Sequence, residues 1–165
     1  MSLALLTLAA VGTLALGATT LVGYLVAPGP AWMRQHFLMA LGSTFLLVMA
    51  HSFIMFFLIA TGVELKDMEK RRGWGDSFRR RTIALKSRVF PLMTGALLLV
   101  IANFILGAAA HTRALPGWVH QAVAWATLGA CLAALHREYL VLAENNRLIA
   151  EAASRGEDSV GARAR

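Results

Sequence analysis

The sequence predicts an all-α polytopic membrane protein, a four-transmembrane-helix bundle with cytoplasmic helical extensions. Three observations predict it. The 165 residues are 58 % apolar and 15 % charged, with mean hydropathy +0.61. A soluble domain is about a quarter charged and about half apolar. Four stretches, 1–33, 35–63, 89–112 and 114–136, contain no Asp, Glu, Lys or Arg. Each exceeds the about 20 residues a helix needs to cross a hydrocarbon core of about 30 Å. Finally, the basic residues are divided unequally between the connections, which is how membrane proteins encode orientation.

Each element follows in order. The first span, 3–26, has no Lys or Arg before it. It is longer than the about 7–15 apolar residues of a signal peptide, so it reads as a span. Ala9, Thr13 and Gly17, and again Ala15, Thr19 and Gly23, place small residues four apart, which permits close helix approach in lipid. The second span, 37–63, should continue as helix through Arg72. Gly73-Trp74-Gly75 then breaks it. Asp76 is the expected N-cap of a helix over 77–88. That helix runs into the third span, 89–110, with Pro91 as a kink or restart.

The fourth span, 118–136, carries Ala122, Ala126, Ala130 and Ala134, a ladder of small residues with Gly129 and Ala133 beside it. It should continue in the cytoplasm as a helix over 137–153. Arg147–Glu151 and Glu151–Arg155 support that helix as i,i+4 pairs. Residues 1–153 then form one domain, and the patternless 154–165 forms a frayed tail. Strands are a poor alternative, because a membrane barrel alternates polar and apolar residues.

Orientation follows from charge. Segment 64–88 holds nine Lys or Arg and the tail five, against Arg34 and Arg113 in the other two connections. The positive-inside rule places both termini in the cytoplasm and the protein in the inner (plasma) membrane. Trp32 and Trp118 fall at the outer helix ends, where aromatic belts sit. The net charge of +7 and pI near 10.8 thus report orientation. No groove-reading or base-stacking motif accompanies the basic run, so nucleic acid is not an expected partner. Arg79, Arg80 and Arg81 are the expected lipid-headgroup or partner contacts. The partners expected are the bilayer and either other membrane subunits or a second copy of the chain.

Ionisable residues at membrane depth are functional candidates. His51 lies within the second span. Its simplest role is one hydrogen bond, to Ser43, Thr44 or Asn103, that orders the bundle. His51 and His136, on helices running the same way, are also the expected axial ligands if the bundle holds haem b. His36, His111 and His120 all fall at the outer surface and form a candidate zinc or copper trio. The lone Cys131 excludes an intramolecular disulfide and an all-cysteine metal site. The charge-free spans contain no carboxylate for a proton relay. Neither a phosphate loop nor HExxH is present.

The expected function is therefore a non-catalytic inner-membrane subunit or partner-binding protein of a larger assembly. A haem b electron-transfer subunit comes second, and a small transporter or channel third.

Overall fold

The computed structural model describes residues 1–26 and 32–161, with side chains as far as 156. The described residues form four helices: α1 (Ser2–Val26), α2 (Met33–Arg72), α3 (Ser77–His111) and α4 (Gly117–Gly161). All four are long and apolar enough to cross a membrane. Their order makes an up-down-up-down bundle. Among the described residues, α1 packs on α2 and α4, and α3 on α2 and α4. The diagonal partners α2 and α4 touch, whereas α1 and α3 do not.

Burial explains this arrangement. On α4 the buried positions, apart from Leu142 beside them, run Ala124, Thr127, Cys131, Ala134, Glu138, Val141, Asn145, Leu148 and Ala152. That is an unbroken alternation of three and four residues, the seam of a left-handed coiled-coil packing. The corresponding seam of α3 passes through Phe78, Val89, Met93 and Val100. The small-residue ladder read from sequence is not this seam. Ala122, Ala126, Gly129 and Ala133 are exposed, and only Ala134 of the ladder is buried. A strict four-residue repeat advances about 40° per step and walks off a face that the three-four alternation holds. The small residues of α1 do pack inward. Ala9 and Thr13 are buried, and a Cβ at Gly12 would lie 3.1 Å from Leu47 Cγ.

Helix α1 is the short one. Asn146 of α4 donates to Ser2 Oγ at 2.8 Å, which marks where α1 begins. Beyond that level α2, α3 and α4 continue as a three-helix head. Gly73, at φ +66, caps α2 in the left-handed conformation that favours glycine. Asp76 occupies the N-cap position of α3, but its side chain makes no capping hydrogen bond. It pairs with Arg80 on the surface instead, at 3.1 Å. The cap comes from Glu69, in the last turn of α2. Its carboxylate is 2 % exposed and accepts the backbone N–H groups of Phe78 at 2.5 Å and Arg79 at 3.1 Å. Two of the orphan donors of α3 are satisfied from another helix, and a buried negative charge meets the positive helix end. Helix α3 then passes through Pro91 without interruption.

Helix α4 also runs further than its sequence suggests. Residues 154–161 are helical where a frayed tail is expected, and 162–165 lie outside the described residues. The cause is docking. Arg155 stacks on Trp74 at 5.1 Å, and Arg72 Nη1 donates to the Gly156 carbonyl at 2.9 Å. The α2–α3 turn thereby holds the end of α4.

The two acids of the turn should respond differently. Glu69→Ala should cost about 1–3 kcal/mol, the loss of a buried, charge-assisted cap. Asp76→Ala should cost under about 0.5 kcal/mol, as an exposed i,i+4 pair does. Thermal unfolding of the detergent-solubilised variants measures the difference. Equal losses would remove Glu69 from this role.

Candidate functional site

Polar side chains collect at two levels of an otherwise apolar bundle. At the inner level His51, on α2, hydrogen-bonds through Nδ1 to Glu138 Oε1 on α4. Both side chains are fully buried. Thr61 donates to Asn145 Oδ1 at 3.1 Å along the same α2–α4 contact. Glu138 and Asn145 are seven apart on the buried seam, so the two polar contacts form successive rungs. His51 Nε2 and Glu138 Oε2 have no partner.

This arrangement corrects three expectations. The partner of His51 is neither Ser43, Thr44 nor Asn103: Ser43 donates to the Ala40 carbonyl of its own helix at 3.2 Å. His51 and His136 are not brought together, because His136 is exposed. Positions 136 and 138 lie about 200° apart around a helix, so turning Glu138 inward turns His136 outward. A carboxylate does stand inside the bundle. Glu138 directly follows Arg137 and therefore reads as a cytoplasmic residue. The signal that finds it is its place on the three-four seam with Cys131, Ala134, Val141 and Asn145.

At the outer level a cavity of about 690 Å³ opens between all four helices. A second, of about 650 Å³, shares Met33, His36, Gly107, His111, His120 and Gln121 with it. The first extends inward past Thr20, Ser43 and Asn103, and the second outward past Val26 and Trp118, with Tyr24 and Trp125 lining it between α1 and α4. His36 and His120 stand where the two meet. Their ring centres are 6.3 Å apart and their planes 77° apart.

Two helical glycines make room for these rings. A Cβ at Gly23 would lie 3.3 Å from His36 Cε1 and 3.4 Å from Gln121 Oε1. A Cβ at Gly107 would lie 3.1 Å from His120 Cε1. Trp125 donates to the Tyr24 hydroxyl at 2.9 Å, tying α4 to α1 beside the outer cavity.

The outer polar groups are poorly paired. His36 Nδ1, His120 Nδ1, Gln121 Nε2 and Asn103 Oδ1 are buried atoms without a hydrogen-bond partner. Asn103 is only 9 % exposed and lines the first cavity. The structure brings together two of the three histidines proposed as a metal trio. His111 closes α3 and is exposed. Among the described residues no three His, Cys, Asp or Glu side chains are grouped to hold a metal ion.

The basic run also divides. Arg79 and Arg80 are exposed. Arg81 instead joins α3 to α4, reaching Glu151 at 2.7 Å and Glu144 at 3.5 Å. The hydrogen bond to Glu151 is the main cause holding its guanidinium pKa above the usual arginine value. Comparison with protein-family models, with curated proteins and with solved structures finds no match.

The inner pair yields a double-mutant test. His51→Leu or Glu138→Leu alone strands a buried polar partner and should cost about 3–5 kcal/mol. The double replacement should recover most of that loss. Detergent unfolding curves of the four proteins give the coupling. Additive losses would mean that the two side chains do not act as a pair.

Proposed function

We propose that this chain is an integral inner-membrane protein with cytoplasmic termini, and that it works as a non-catalytic, ligand-holding subunit of a larger membrane assembly. The observation that carries the reading is the outer cavity. Its size lies within the about 300–1,000 Å³ of small-molecule sites, and its lining is apolar with a few convergent polar groups. Four residues that line this space, His36, Asn103, His120 and Gln121, each keep a buried polar atom without a partner. Leaving a buried donor or acceptor unmade costs about 1–3 kcal/mol each. A ligand with hydrogen-bonding or metal-coordinating groups would recover that cost.

The surface supports membrane insertion. Leu14, Phe45, Phe56, Leu98 and Ile105 are all more than half exposed, on the first three helices. In water such a surface would drive aggregation; in lipid it is solvated. Arg79 and Arg80 would then lie at the cytoplasmic headgroup level, at about 1 kcal/mol of attraction per basic residue. The exposed stripe of Ala122, Ala126, Gly129 and Ala133 on α4 supports the subunit reading, since small residues let another helix approach closely.

Two measurements test this. Reporter fusions at Gly75 and after residue 161 should report the cytoplasm, and one at Ala114 the opposite side. The reverse pattern would overturn the orientation. Native mass spectrometry of the chain released from mild detergent should show a bound small molecule. Ala40→Phe, which fills the first cavity from α2, should abolish it. A folded wild-type chain that carries nothing would overturn the ligand-holding role.

A further inference from the structure

We propose that His36 and His120 are the two axial ligands of one haem, held without a covalent bond at the junction of the two outer cavities. The inference rests on the reading of those cavities as a ligand site, and it names the ligand's class.

The donor set comes first. Two imidazoles approach from α2 and α4, helices that are diagonal across the bundle, and no third ligating side chain joins them among the described residues. A bare zinc ion wants about four ligands and would be left half-coordinated. Haem iron brings four nitrogens of its own and asks the protein only for axial groups, for which neutral imidazole is suited.

Spacing agrees. Two metal–nitrogen bonds of about 2 Å, extended by the radius of each ring, separate imidazole centres by roughly 6 Å. The observed separation is 6.3 Å. Axial rings need only aim a nitrogen along the normal to the macrocycle, so planes 77° apart are compatible with shared coordination.

Space agrees as well. A macrocycle extends to both sides of the line joining its axial ligands. Here one cavity continues inward from that line and the other outward, and His36 and His120 belong to both. The glycines behind the rings, Gly23 and Gly107, let each imidazole lie close to a neighbouring helix, where any side chain would intrude.

The ends of the site suit the ligand's polarity. The inner cavity reaches Leu16 and Phe104, which suit an apolar macrocycle edge, and Arg34 lies at its outer end. That guanidinium is the opposite charge to the two propionates a haem carries. Covalent attachment would need cysteines beside the site. The only one, Cys131, is buried on the α4 seam, eleven residues further along the chain than His120. The haem is therefore not of the covalently attached c type.

The experiment uses the full-length chain, purified in mild detergent from cells supplied with a haem precursor. A reduced-minus-oxidised spectrum should show the Soret and α bands of low-spin, bis-imidazole haem, with one haem per chain by pyridine haemochrome. His36→Ala and His120→Ala should lose these bands while remaining monodisperse on size exclusion. His136→Ala and His111→Ala should keep them. His36→Met guards against a folding artefact: thioether can replace imidazole, so this variant should retain iron with shifted bands.

Haem retained by both alanine variants would overturn the ligand assignment. A different small molecule, seen by native mass spectrometry and lost in Ala40→Phe, would overturn haem and leave the cavity reading standing. A folded chain that carries no ligand and takes up no added hemin would overturn both.

Discussion

The hydrogen bond between His51 and Glu138 is the interaction on which the rest of the bundle depends. In a helical bundle with an apolar exterior, apolar side chains do little to choose among helix rotations, because every face is about equally greasy. A buried imidazole and a buried carboxylate remove that freedom. Neither fits the apolar exterior, and each finds the other only in one mutual orientation. The pair lies across the diagonal, which adjacent-helix packing constrains least. Thr61 and Asn145 repeat the constraint one step toward the head. Glu69 then clamps the start of α3 to the end of α2. Specificity therefore accumulates from the middle of the molecule toward its three-helix head.

The outer half is organised oppositely. There His36, Asn103, His120 and Gln121 each keep an unpaired polar atom, and the helices stand far enough apart to enclose space. Packing that leaves polar atoms unmet is costly, so it persists where something else meets them. The contrast lies in how the helices are joined: His51–Glu138 and Thr61–Asn145 hydrogen bonds link α2 to α4 at one level, although His51 Nε2, Glu138 Oε2 and Asn145 Nδ2 stay unpaired, while at the other level the His36 and His120 rings meet across a cavity. It separates the residues that hold the bundle together from those we propose hold a ligand.

Much of the fold was legible in the sequence because charge is such a coarse signal in an apolar chain. Four charge-free stretches define four helices, and Gly73-Trp74-Gly75 marks the turn between α2 and α3. The failures share a cause. Reading each charged residue as a marker of the aqueous side hid Glu138, whose neighbour Arg137 is exposed and supports that assignment. A four-residue repeat is easier to see than the three-four seam, and the repeat itself does not say which way it faces; on α4 most of its small residues face outward. Asp76 had the right residue type and position for a cap, but a glutamate seven residues earlier in sequence approaches the same N–H groups from the preceding helix. The pairing of His36 with His120 was harder still. It depends on relative helix rotation, and no local pattern carries that.

The relation between the two levels has a mechanical side. Glu138 and His120 are eighteen residues apart, five whole turns of helix, so they project from one edge of α4. His51 and His36 are fifteen apart, within about 60° of the same edge of α2. Each helix is uninterrupted between its two members. The inner pair therefore works as an indexing pin: locking the torsional angle of both rods at one height sets it about 20–27 Å away, where the imidazoles meet. A site assembled this way owes its alignment to a contact that never touches its contents.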